Sequence, residues 1–98
     1  MKYLVTAQPS TTPVPPEQEL ALWQAEKEWF NARLADGTVE CNYFFLDEGG
    51  FAICNVDSHE ALWDLLVTYP FYDFSIWEVR ALCDWTHASD SIIESLQS

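Results

Sequence analysis

The chain has 98 residues, room for one domain with a modest core. Its 16 acidic and 4 basic residues leave a net charge of −12, which repels phosphate backbones and anionic lipid and argues against nucleic-acid or membrane partners. With 49 % hydrophobic residues and five Trp, the composition is that of a folded domain with large aromatic side chains to bury.

In chain order, Lys2 to Gln8 is rich in β-formers and reads as a first strand. "PSTTPVPP" interrupts regular structure. A helix is expected over 17–35, with Pro16 at its first position and Glu17 and Glu19 at the positive end of its dipole. Gly37 supplies a left-handed cap. Leu20, Trp23, Phe30 and Leu34 form one apolar stripe, with Lys27 inside it, and Ala25, Trp29 and Ala32 form another. One stripe suits a sheet; the second suits a further contact such as a partner subunit.

Residues 38–46 and 51–56 read as two strands joined by the turn "DEGG". "DSHEALWDLLVTY" reads as a second helix, capped by Asp57 with Glu60 and stopped by Pro70. "FSIWEVRALC" is a fourth strand, and Ser91 with Glu94 forms a capping box for a short helix in the 84–98 tail. The three cysteines, Cys41, Cys54 and Cys83, form no C-x-x-C pair, and His59 and His87 lie apart from them. Neither a metal site nor a disulfide framework is expected, and free thiols suit a cytoplasmic location. "MKYLVTAQP" lacks the charge and apolar pattern of a leader, and no stretch is apolar enough to span a bilayer.

The order strand, helix, strand, strand, helix, strand predicts a single α+β domain over 1–98. It is the ferredoxin-like βαββαβ arrangement, a four-stranded antiparallel sheet with both helices on one face. The other face is too apolar to stand in water, so a second subunit is expected to cover it, giving a dimeric α+β barrel or a larger homo-oligomer.

Two segments, "NVDSHEALWDLLVTYPFYDFSIWEVRALC" and "AEKEWFNARLADGT", resemble the muconolactone isomerase family, the latter most clearly at Glu26, Lys27 and Gly37. The resemblance covers nearly the whole chain. It implies a dimeric barrel that moves a double bond in a small anionic lactone by proton transfer, with neither metal nor organic cofactor. It also implies basic or histidine side chains on the first two strands, where this chain holds Leu4 and Thr6, then Glu40, Cys41 and Phe44.

Among candidate site residues, Glu78 and Arg80 share one face of the fourth strand. They read either as an ion pair across a dimer or as a catalytic acid beside an anion-binding cation. Glu26 is an acid or base if burial raises its pKa. Lys27 either covers apolar surface with its stem or directs a cation at a pocket. Trp77, Tyr43 and Phe44 are expected to line that pocket, while Tyr69–Phe74 reads as an aromatic hinge between the second helix and the last strand, its surplus rings serving either as pocket lining or as oligomer interface. The leading function is a cofactor-independent isomerase or cyclase, with Glu78 or Glu26 transferring a proton on a small cyclic, largely apolar molecule. The alternatives are a non-catalytic small-molecule-binding protein and a structural oligomer subunit on the same fold.

Overall fold

The computed structural model describes residues 1–97. Four strands, β1 (Lys2–Pro9), β2 (Val39–Phe44), β3 (Gly50–Asn55) and β4 (Ser75–Leu82), form an antiparallel sheet in the order β2-β3-β1-β4. Helices α1 (Pro16–Asp36) and α2 (His59–Leu66) make the two crossovers, as the ferredoxin-like reading requires. A third helix, α3 (Trp85–Gln97), follows β4.

Local chemistry sets the boundaries. Pro16 opens α1, and Gly37 closes it at φ 84°, where a Cβ is disfavoured. The Asp36 carboxylate accepts from the Thr38 backbone N–H at 2.9 Å and from its hydroxyl at 2.7 Å, steering the chain into β2. The cap of α2 is Ser58 rather than Asp57: the Ser58 hydroxyl accepts the Ala61 N–H at 3.0 Å. Both residue types cap well, and the strand ending at Asn55 sets which one reaches the helix. The tail helix also begins earlier than expected. Asp84 accepts the His87 N–H at 2.9 Å, so α3 starts at Trp85, and Ser91 and Glu94 lie inside it rather than at its start.

Tyr3, Val5, Val39, Ala52, Cys54, Val56, Leu62 and Leu65 form the core between the sheet and α2. α1 is seated differently. Its inward line is Leu22, Ala25, Glu26, Trp29, Phe30 and Arg33, and only Glu26 is buried. Leu20, Trp23 and Leu34, expected on a core stripe, are exposed. The sheet beneath α1 presents small residues: Ala7 stands opposite Gly50, and Ala52, on the same face, stands between Val5 and Asn42. Small side chains there leave unfilled space under the helix.

Candidate functional site

That space is a cleft of about 810 Å³ between α1, the sheet and the segment after α2. Val5, Ala7, Asn42, Ala52 and Cys54 line it from the strands, while Trp23, Glu26, Lys27 and Phe30 line it from α1. Tyr69, Phe71, Phe74 and Trp77 supply a further wall. The rings form a continuous network: Trp23–Phe71 at 4.8 Å between centroids, Trp23–Phe44 at 5.9 Å, Trp29–Tyr69 at 5.3 Å and Tyr69–Trp77 at 5.4 Å. Each is tilted or edge-to-face, the arrangement the ring quadrupoles favour. The Trp77 indole N–H is buried among these rings without a hydrogen-bond partner.

Glu26 is the one charged residue buried among the described residues, at 7 % exposure. The Tyr69 hydroxyl donates to its Oε2. Burial pushes the Glu26 carboxyl above the usual Glu value, and the Tyr69 hydrogen bond opposes that rise. Burial, and then the carboxyl it faces, push the Tyr69 phenol above its ordinary value, so this phenol stays protonated and donates. Trp29 Nε1–H donates to Thr68 Oγ1 at 2.8 Å, tying α1 to the residue before Tyr69. The pair of Glu26 and Tyr69 is therefore held from both sides. Cys54 is not a nucleophile candidate: burial raises its thiol to about 11.

Of the residues singled out in the sequence, Glu26, Lys27, Phe44 and Trp77 line the cleft. Tyr43 borders it, but strand alternation turns its ring to the other face, where it stacks on Phe51 at 5.7 Å. Glu78 and Arg80 are absent from the lining. Their register partners are Thr6 and Leu4, one residue out of phase with cleft-lining Val5 and Ala7, so both lie on the sheet face away from the helices. Both are exposed, and neither has an ion-pair partner among the described residues. Glu40, in the irregular register between Val39 and Cys41, also lies outside the cleft, where it pairs with Lys2 at 2.9 Å. Its carboxylate holds the Lys2 ammonium above the usual value. Sequence reasoning marked Tyr69 only as part of an aromatic hinge; its bond to Glu26 spans 43 positions and left no local signal.

Among the described residues no three His, Cys, Asp or Glu side chains come together in a metal-binding group. No helix among them is long and apolar enough to cross a membrane.

No family model and no curated protein matches the chain. Among solved structures, it is similar to muconolactone isomerase, with a TM-score of 0.77 and 24 % identity over 86 % of this chain and 90 % of that one. It is also similar to 5-chloro-2-hydroxyhydroquinone dehydrochlorinase from Burkholderia phenoliruptrix AC1100, solved with 2,5-dihydroxybenzoquinone. There the TM-score is 0.70 and the identity 13 %, over 89 % of this chain and 98 % of that one. The chain thus has the muconolactone isomerase fold.

Proposed function

We propose that this chain, built on the muconolactone isomerase fold, is a cofactor-independent isomerase or cyclase that moves a proton on a small cyclic, largely apolar molecule. One observation carries the reading: the one buried carboxyl among the described residues lines the aromatic cleft and is held by a phenol that stays protonated. A carboxyl raised by burial holds a proton more readily than a solvated one and can still give it up, which suits it to accept and return a proton. The rings of Trp23, Phe44, Phe71 and Trp77 suit a flat cyclic ligand, and Lys27 is the one Lys or Arg among the lining residues. Glu19, Asp47 and Glu48 also line the cleft and outnumber that cation, which disfavours an anion. Both solved neighbours are named for small cyclic oxygenated compounds, which agrees with the ligand class.

Glu78 and Arg80 receive a different role in this reading, as part of a homodimer interface on the open sheet face. Lys2, Glu40, Glu78 and Arg80 make that face electrically balanced in a chain of charge −12, and Leu4, Ile53 and Ile76 make it apolar. A second copy is the occupant such a face accepts without repulsion.

The test is proton exchange. The purified protein is incubated in D₂O with neutral cyclic enones and lactones, and deuterium uptake is followed by NMR. Uptake that is catalysed by the wild type and lost in Glu26→Gln supports the reading. Binding without any exchange favours the alternative, a small-molecule-binding protein on this fold.

A further inference from the structure

The cleft holds a polar side chain that proton transfer at Glu26 does not use. Asn42 occupies an inward position on β2: it faces Ala52 across the ladder and shares its sheet face with Phe44, whose ring meets Trp23 of α1. Asparagine is depleted in strands, and an inward position beside Phe44 and Ala52 calls for an apolar side chain. The other uncharged amides of the lining, Gln8 and Asn31, are exposed, and the Ser75 hydroxyl already donates to the Phe71 carbonyl at 2.8 Å. Asn42 is half-buried, and its amide has no hydrogen-bond partner among the described residues. An amide drawn out of water without a partner costs free energy that a ligand atom in the cleft recovers.

Its place relative to Glu26 follows from the packing. The Trp23–Phe44 contact at 5.9 Å shows that β2 runs back beneath α1 from the turn at Gly37. From that contact, two residues back along β2 cover ~7 Å, and three to four residues onward along α1 cover ~4.5–6 Å. Asn42 thus comes level with Glu26 and Lys27. Across the sheet, Asn42 and Glu26 are held apart. β2 is one edge, while Tyr69, which fastens Glu26, packs on Trp77 of β4, the other edge. Ala7 and Ala52, on the two middle strands, leave the floor between them open. A flat ring seated there meets a proton acceptor on one side and an amide on the other. Lys27 is exposed, so its ammonium keeps its water and the half-buried amide is the donor left inside.

We propose that Asn42 takes a carbonyl oxygen of the ligand through its amide N–H, which makes the ligand class cyclic ketones, enones and neutral lactones. This rests on the proposed function for the cleft as the binding site, and it orients the ligand: oxygen toward β2, reacting carbon toward Tyr69. In a ring ketone with a β,γ double bond, the Glu26 carboxylate takes a proton from the carbon beside the carbonyl. The electron pair of that C–H bond enters the π-system, and charge gathers on the oxygen that Asn42 holds. Glu26 then returns the proton to the γ-carbon, the carbonyl re-forms, and the double bond has moved with no other reactant.

The experiment uses the full chain labelled with ¹⁵N, with cyclohexenone as the probe and methylcyclohexene, a ring without the oxygen, as its control. Cyclohexenone should move the NMR resonances of the Asn42 side-chain amide, and methylcyclohexene should not. Asn42→Leu, which keeps the volume, should bind cyclohexenone roughly tenfold more weakly and methylcyclohexene no less well. Deuterium exchange on bound cyclohexenone should fall by a further ~100-fold. Urea unfolding separates this from a structural role, since loss of an unpaired amide should leave the variant at least as stable as the wild type. Equal weakening of both compounds in Asn42→Leu, unchanged cyclohexenone binding in it, or a wild-type amide resonance that ignores cyclohexenone overturns the proposal. So does a wild type that binds neither compound. Binding through Asn42 with no deuterium exchange upholds the oxygen site and overturns proton transfer alone.

Discussion

The bond between Tyr69 and Glu26 can be isolated with Tyr69→Phe, which deletes one oxygen and keeps the ring that packs on Trp29, Phe30 and Trp77. The effect should depend on pH, and its sign follows from linkage. Glu26 has a raised pKa in the folded chain. Below the unfolded Glu value of about 4.3 both states hold the proton and the group contributes no slope. As pH rises from there to the native value, the unfolded chain releases a proton that the folded chain keeps. Stability therefore falls through that window, by up to ~1.4 kcal/mol per pH unit, and is level above it. The Tyr69 donor limits the fall by stabilising the ionised carboxylate. A hydrogen bond to a charged group contributes about 1.5–3 kcal/mol and one between neutral groups about 1 kcal/mol. Tyr69→Phe should then destabilise by about 1 kcal/mol in acid and by roughly 2–3 kcal/mol at pH 8. Urea unfolding at several pH values from 4.5 to 8 measures the difference, and ¹³C NMR of the Glu26 carboxyl should show it titrating at higher pH in the variant. A loss of stability equal at all pH values, or a Glu26 that titrates lower, would refute the argument. A double-mutant cycle with Glu26→Gln separates the pair from the cavity left by the missing oxygen.

Other expectations are simpler. Glu26→Gln removes the burial penalty of a carboxylate, so above neutral pH it should match or exceed wild-type stability by urea unfolding, while proton exchange on a neutral cyclic ligand disappears. Gly49→Ala should destabilise more than Gly37→Ala. Both glycines have positive φ, but a Cβ at Gly49 meets the Ala7 carbonyl oxygen at 2.5 Å and one at Gly37 meets nothing within 4 Å, so Gly37→Ala should lose only about 1–2 kcal/mol by thermal unfolding. With an Ellman-type reagent at pH 8, exposed Cys83 should react quickly, and Cys54, at 1 % exposure with its thiol raised to about 11, only on unfolding. Calorimetric titration should show a neutral cyclic ligand binding better than muconolactone, because the cleft lining has three exposed acids against Lys27.

The fold was readable in the sequence because its signals are local. Pro16, Gly37, the turn before Gly50 and the change from helical to alternating periodicity mark the elements within a few residues each. Alternation also told that Glu78 and Arg80 share a face. It did not tell which face, because that phase is set by β1 pairing, where Thr6 meets Glu78 and Ala7 meets Trp77. A slip of one residue in that ladder would exchange the two sets. Glu26 was visible as a candidate through the family resemblance, yet its helix stripe was misjudged. The apolar residues Leu20, Trp23 and Leu34 suggested a packed face, whereas the small floor of Ala7, Gly50 and Ala52 leaves that side of α1 over empty space. Tyr69 was out of reach of any periodicity argument, being brought to Glu26 by the turn at Pro70 and the seating of α2.

A helix of 21 residues whose single buried side chain is a carboxylic acid is fastened unlike the rest of the molecule. The strands β1 and β3 and helix α2 share the core and should open to exchange with deuterium only when the whole chain unfolds. α1 meets that core only through the half-buried Trp29 and Phe30, so its amides should exchange through a smaller, separate opening in which α1 lifts from the sheet and the cleft floor is exposed. The same motion should hydrate Glu26 and widen the cleft for a ligand of the proposed kind. Wall, entrance and titrating group are then one cooperative unit, and a ligand that fills the cleft should slow exchange along α1 far more than along β1.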